Sequence, residues 1–306
     1  MSIVPSEAGG RAVSAPDAET QRLVNSHFER ASGFWSDVYQ REDVIALICQ
    51  RRRDIALGWI DELALPMRAR VLEVGCGAGL MAGGLAKRGF DVDATDTVAD
   101  MIELTRRHAA QANVSERVRT RLADVHALEF EDQTFDAAVV LGVLPWLHSP
   151  QIAMHELARV LRPGAHVVLS ANNVDRLTYL IDPRYSRPLS PVRRAVKVLL
   201  GRMGLLRARS SATARSASRP GDDSAAVARA QTRREVGALL SAANLEMVKG
   251  VTLGFGPFTL FGHGFLPARV ERRLHQWLQL CADAGLPGIR SAGGQYLVLA
   301  RKAPNG

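Results

Sequence analysis

Between Arg70 and Ala171 short apolar runs alternate with amphipathic stretches of helical period. The runs at 71–74, 91–95, 118–122, 137–141 and 166–170 have the length and β-branched content of strands. The stretches at about 79–88, 98–112 and 151–161 repeat apolar positions every three to four residues. This alternation predicts a parallel sheet with helices on both faces. Arg162-Pro163-Gly164 stops the third helix and supplies a turn before the fifth strand.

Upstream, aromatics at Phe28, Phe34, Trp35 and Tyr39, then Val44, Leu47, Ile48, Ile55, Trp59, Ile60 and Leu63 at helical spacing, predict two helices within 21–66. Residues 1–20, rich in small and polar types, read as a mobile tail. From 67 to 306 the pattern predicts one main domain with two insertions. The first, 176–230, contains a basic helical stretch at 191–207 and a small-polar, flexible stretch at 210–226. A helix at about 232–243 and a strand at 245–253 follow. The second insertion, 254–293, opens with the Gly/Phe-rich 254–265, which holds too many breakers for a regular element, and continues into a helix at about 268–284. A last strand is expected at 295–300.

Charge changes this picture in one place. The chain carries 39 Lys and Arg against 31 Asp and Glu, a net +8. Residues 176–219 hold eleven basic residues and one acid, Asp182, a surplus larger than that of the whole chain, so the remainder is slightly acidic. The basicity is a property of one insertion. A composition 47% hydrophobic and 23% charged is that of a soluble globular chain and excludes disorder throughout. No stretch approaches the ~20 apolar residues of a membrane span, and residues 1–19 lack the apolar core of a signal peptide, so a cytoplasmic location is expected. Cys49, Cys76 and Cys281 have no C-x-x-C spacing and are expected as free thiols.

The chemistry is concentrated in Val71-Leu72-Glu73-Val74-Gly75-Cys76-Gly77-Ala78-Gly79, an apolar strand entering a glycine cluster that opens a helix. Glycines there allow a tight turn and close approach of a ligand to the backbone. A dinucleotide fingerprint places its third glycine three positions after the second; that position is Leu80, and the third glycine comes early, at Gly79. Glu73 would repel a diphosphate and suits a cationic ligand.

The run E-x-G-x-G-x-G after a first strand resembles the first motif of class I S-adenosylmethionine-dependent methyltransferases, and the chain resembles their small-molecule group of ubiquinone and menaquinone biosynthesis. Asp96 ends the second strand where that family holds the ribose hydroxyls; Thr97 and Met101 sit where it packs the adenine. Asp124-Val125 resembles the pair whose carboxylate takes the adenine amino group. Leu141 and Gly142, after the fourth strand, fall beside the methionine moiety, and Leu161-Arg162-Pro163-Gly164-Ala165 resembles the L-x-P-G-G turn. The resemblance covers 70–171 closely. It implies a Rossmann-like sheet of seven strands, mostly parallel with an antiparallel C-terminal strand, under an N-terminal helical lid. S-adenosylmethionine is the implied methyl donor, held by Glu73, Gly75, Cys76, Gly77, Gly79, Asp96, Thr97, Met101, Asp124, Val125 and Leu141. Cys76 reads as a small loop residue.

The acceptor is less constrained. Methyl transfer needs alignment with the S–CH3 bond, and a base only when the acceptor must lose a proton. The D/N-P-P-Y/F motif of enzymes that grip a flipped base is absent from 141–150, which argues against nucleic acid. The Glu-His pair of ubiquinone-type O-methyltransferases corresponds to Pro145-Trp146, so that base is not carried over. His148 and His263 are the candidates to replace it. Trp35, Tyr39 and Trp146 are candidates to contact the acceptor. The histidines show no metal-ligand spacing, and no metal is expected. Val192, Val196, Leu199, Met203 and Leu206 share one face of the basic stretch with Arg193, Arg194 and Lys197 beside it, a pattern that fits either a lid helix or peripheral contact through 190–210 with an anionic membrane at its inner face. The expected acceptor is a small hydrophobic metabolite methylated at oxygen; the alternatives are an RNA methyltransferase and a catalytically inactive cofactor-binding protein.

Overall fold

The computed structural model describes residues 15–38, 40–182, 228–261 and 263–304. Tyr39, the basic stretch 190–210 and the loop 210–226 lie outside the described residues. The apolar runs form β1 (Arg70–Val74), β2 (Asp91–Asp96), β3 (Val118–Leu122), β4 (Phe135–Val140) and β5 (Leu161–Asn172), and the later pattern gives β6 (Leu245–Leu253) and β9 (Gln295–Lys302). They make one seven-stranded sheet of order β3-β2-β1-β4-β5-β9-β6. β1 to β5 pair in parallel; β9 runs antiparallel to both β5 and β6.

Side-chain alternation assigns the two faces. Leu72, Val74, Ala138 and Val140 point to one side, against Ala153, Met154 and Leu157 of α6 (Pro150–Val160) and Val236 and Leu240 of α8 (Arg233–Ala242). Val71, Val92, Ala137, Val139 and Val168 point to the other, against α3 (Val44–Glu62), α4 (Leu80–Ala86) and α5 (Ala99–Gln111). Burial on both faces explains why β1 and β4 read as near-continuous apolar runs, whereas edge strand β3, Val-Arg-Thr-Arg-Leu, is mostly polar. All five parallel strands end on the same side of the sheet, and the loops there form the region where open α/β sheets bind ligands.

Three expectations are corrected. Three helices precede β1: α1 (Ala15–Arg30), α2 (Ser32–Asp37) and α3, and α1 begins inside the stretch read as a tail. The Arg162-Pro163-Gly164 turn lies within β5 as an irregularity: Leu161 pairs with Phe135 and His166 with Ala137, so four residues of β5 face one of β4. The Gly/Phe-rich segment contains a short antiparallel pair, β7 (Thr259–Leu260) with β8 (His263–Gly264). It precedes α9 (Ala268–Asp283), whose Leu278 packs on Phe255 and Phe258; α7 (Leu177–Ile181) adds Leu177 and Ile181 to the same small core. Among the described residues no helix is long and apolar enough to cross a membrane.

Candidate active site

The β1–α4 loop is built by three glycines in the left-handed region, for two different reasons. A Cβ on Gly75 (φ 67°) would lie 2.3 Å from Val143 Cγ2, and one on Gly79 (φ 76°) would lie 2.7 Å from the Thr105 Cα. These two glycines let the loop pack against its own protein. Gly77 (φ 52°) has nothing within 4 Å of its Cβ position, so it is the glycine that faces open space. The loop is pinned by Cys76 N–H donating to Thr95 O (2.9 Å) and by Thr105 Oγ1 donating to Gly77 O (3.0 Å). Cys76 is buried, its Sγ 3.3 Å from Thr105 Oγ1, and burial pushes its thiol well above the usual range. It is a structural thiol.

Two acids meet at this loop. Asp96, at the end of β2, accepts from Gly77 N–H on Oδ2 (3.0 Å) and from Val98 N–H on Oδ1 (3.0 Å), which ties the glycine loop to the start of α5. Burial still raises its pKa against the pull of these amides. Glu73 is 4% exposed and its Oε2 has no hydrogen-bond partner. Burial first, and then the neighbouring Asp96 charge, push its pKa up to about 8, against the Ala82 N–H that favours the carboxylate. Met101, on α5, is fully buried beside this region, and Val125 is buried in the core.

Helix α1 closes over the loops. Thr97 Oγ1 donates to Asn25 Oδ1 (2.9 Å), Gln21 Nε2 donates back to Thr97 Oγ1, and Asn25 Nδ2 donates to Thr97 O. The Thr97 side chain is thus committed to α1. Further along that helix His27 stacks on Trp146 (ring centroids 5.1 Å) and Phe28 meets both Trp146 (5.2 Å) and Trp35 (6.0 Å). Two of the acceptor candidates, Trp35 and Trp146, are thereby joined in one aromatic wall between α1, α2 and the β4–α6 connection. Arg229 N–H donates to Pro145 O (2.8 Å), so the chain returns over the same connection after the basic insertion.

Sequence reasoning missed Arg52. It projects from α3 at 6% exposure, and its guanidinium lies over Gly142, where a Cβ would be 3.1 Å from Nη1. Nη1 donates to Gln295 Oε1 (3.3 Å), Nε has no hydrogen-bond partner, and among the described residues no carboxylate pairs with it. Leu141 is half-buried beside it and Gly142 N–H donates to Ser170 Oγ (2.8 Å). A signal existed: Ile48, Arg52, Ile55 and Trp59 fall on one helical stripe, so an arginine occupies an otherwise apolar face.

The histidines are arranged differently from the sequence expectation. Asp124 Oδ1 accepts from both His126 N–H (2.9 Å) and His126 Nδ1 (2.6 Å), and His126 Nε2 accepts from Ser149 N–H (3.3 Å). His148 stacks on His126 with ring centroids 3.6 Å apart. Burial would raise the Asp124 pKa, but the His126 side-chain and backbone bonds and the charges of His126 and His148 outweigh it and the net shift is downward. The expectation of no histidine cluster is therefore corrected: Asp124, His126 and His148 each bring a possible ligand atom within 4.8 Å of the others. His126 was not singled out because its partner His148 reaches it only through folding of the β4–α6 connection. His263 is exposed on β8. Neither candidate base has the expected setting: His148 is drawn toward Asp124, and His263 stands in solvent.

Residues 72–169 match the family described as Methyltransferase domain. Among curated proteins, the ubiquinone biosynthesis O-methyltransferase of Alkalilimnicola ehrlichii is 34% identical over 170 residues, covering 53% of this chain and 65% of that protein. The protein of the same name from Paracidovorax citrulli is 31% identical over 128 residues, covering 42% of this chain and 53% of that one. The chain thus spans between about half and two thirds of these relatives. Among solved structures, magnesium protoporphyrin IX methyltransferase from Synechocystis with bound SAH superposes with a TM-score of 0.58 at 14% identity, over 93% of this chain and all of that one. The 1,6-didemethyltoxoflavin-N1-methyltransferase of Burkholderia thailandensis does so at 0.55 and 18%, over 96% of this chain and 93% of that one. At these identities the likeness is one of fold.

Proposed function

We propose that this chain, whose residues 72–169 match a methyltransferase domain and whose fold is like that of solved methyltransferases, is an S-adenosylmethionine-dependent enzyme that methylates an oxygen of a small, hydrophobic acceptor. The observation that carries this reading is a buried acid and a buried cation at the loop layer, neither with a charged partner among the described residues. Glu73 is a buried acid with an unpartnered oxygen, and Arg52 is a buried cation with no acid beside it among the described residues. Buried charges without partners are costly, and a ligand bearing both a cation and a carboxylate answers both. S-adenosylmethionine is such a molecule, so the residues present fit it.

When bound, the cofactor supplies a methyl group activated on a sulfonium. Glu73 and Arg52 would hold its charged end, Gly77 leaves room for it at the backbone, and Asp96, with acceptor capacity left on both oxygens, would take the ribose hydroxyls. Gly75, Cys76 and Gly79 act by shaping the loop. Met101 and Leu141 would supply apolar walls; Thr97 contributes through its link to α1.

Positioning and exclusion of water carry the transfer. Pro145 and Trp146, at the positions where the family resemblance places a Glu-His pair, offer no proton acceptor. An acceptor hydroxyl of phenolic or enolic acidity needs least help in losing its proton, and the aromatic wall of Phe28, Trp35 and Trp146 suits a flat, apolar ring. The names of the curated relatives, ubiquinone biosynthesis O-methyltransferases, support the same class. Peripheral contact with an anionic membrane at its cytoplasmic face belongs to this proposal; exposed Trp277 and Leu280 on α9 support it beside the basic insertion.

Incubation with methyl-labelled S-adenosylmethionine and a panel of long-tailed catechols and quinols is expected to place label in the organic extract. Label recovered only in added RNA would replace this reading with the nucleic-acid alternative.

A further inference from the structure

We propose that Asp124, His126 and His148 bind a divalent transition-metal ion. The three residues come from two loops, Asp124 and His126 from the turn after β3 and His148 from the β4–α6 connection, and their ligand atoms lie within 4.8 Å of one another. All three are shielded from solvent to some degree, with the His126 side chain 5% and that of Asp124 35% exposed. The contact between Asp124 Oδ1 and His126 Nδ1 is 2.6 Å, so a carboxylate oxygen and an imidazole nitrogen already converge on one point. The His148 ring lies against the same imidazole at 3.6 Å.

His126 alone is sufficient to hold the Asp124 carboxylate, through its amide and its ring. The second imidazole brought against that pair completes two nitrogens and one oxygen, the donor set of zinc, iron(II) and cobalt(II) rather than of magnesium or calcium. The ion takes the place of the proton between Asp124 and His126. That imidazole then carries its proton on Nε2 and gives up the long Ser149 contact. Metal–ligand bonds of about 2.0–2.2 Å part Asp124 Oδ1 and His126 Nδ1 from their present 2.6 Å to about 3 Å or a little more, and turn the His148 ring out of the stack so that its nitrogen reaches the same ion. Positions left open on the ion accept water.

One consequence rests on the cofactor reading. Asp124 occupies the position that the resemblance gives to the adenine amino group, so the ion and the cofactor contend for one carboxylate, and metal binding lowers cofactor affinity.

The test uses the full chain without a histidine tag, stripped with a chelator and titrated with cobalt(II) chloride in the absence of cofactor. One equivalent is expected to bind with the visible absorbance of a four- or five-coordinate site and to be displaced by zinc. His126→Ala and His148→Ala are each expected to weaken binding by at least about tenfold, while His155→Ala, at an exposed position of α6, does not. Circular dichroism confirms that each variant is folded. Absence of the cobalt spectrum, or equal binding by all four proteins, overturns the site. S-adenosylmethionine binding by the metal-free protein is measured separately, so a protein that binds cofactor and no cobalt would sink the metal site and leave the methyltransferase reading standing.

Discussion

Replacement of Arg52 by methionine is expected to weaken S-adenosylmethionine binding while leaving the ligand-free protein as stable as wild type or more so. The two effects have opposite signs because they have different origins. In the free protein the guanidinium is 6% exposed, holds a single 3.3 Å bond to Gln295, and has no carboxylate partner among the described residues. Its desolvation is therefore largely uncompensated, and an apolar side chain of similar length removes that cost. In the complex the guanidinium meets the ligand carboxylate, and losing a charged hydrogen bond of ~1.5–3 kcal/mol lowers affinity between about tenfold and a hundredfold. Thermal melts of the free protein and calorimetric titration check the two halves. A variant that melts earlier and binds equally well would mean that Arg52 is a structural group.

A second large effect belongs to Glu73. Burial raises its pKa from the usual 4.5 to about 8, so the folded protein holds this proton more tightly than the unfolded chain does. The sign follows: its contribution is most favourable below pH 4.5, declines as pH rises from 4.5 to about 8, and is constant above that. Glu73→Gln removes the decline, so the variant gains on wild type across this window by a few kcal/mol at most. Denaturant titrations at pH 5 and pH 8 measure it. A cationic ligand favours the ionised carboxylate, so cofactor binding at pH 7 is expected to release a proton in wild type and none from this group in the variant. Calorimetry in buffers of different ionisation enthalpy reads that proton. Equal release in the two proteins would remove Glu73 from the ligand.

The parts of the fold legible in the sequence are those set by local pattern. β1 and β4 are buried on both faces, and their apolar runs are nearly continuous for that reason; α5 and α6 carry apolar stripes of helical period. The short α2, of six residues, is too brief to show a period, and β5 was read as starting late because Pro163 and Gly164 look like a turn when they lie in an irregular stretch of strand. In the site, the glycine loop and Asp96 were legible because one strand, one turn and the next strand end bring them together within about twenty residues. Which glycine faces open space was not, since that depends on where Val143 and Thr105 pack. Arg52 and the Asp124, His126 and His148 group are products of tertiary folding: one needs α3 laid on the sheet, the other two loops folded together.

The central claim is that the loop joining β1 and α4, tied to β2 by Asp96, holds S-adenosylmethionine. Its most direct test is calorimetric titration of wild type and Asp96→Ala with that cofactor. Asp96 supplies the acceptor for Gly77 N–H and the remaining lone pairs for a ribose, so the variant is expected to lose at least about tenfold in affinity while wild type binds one equivalent. Equal affinity in the two proteins, or no binding by wild type, would contradict the account.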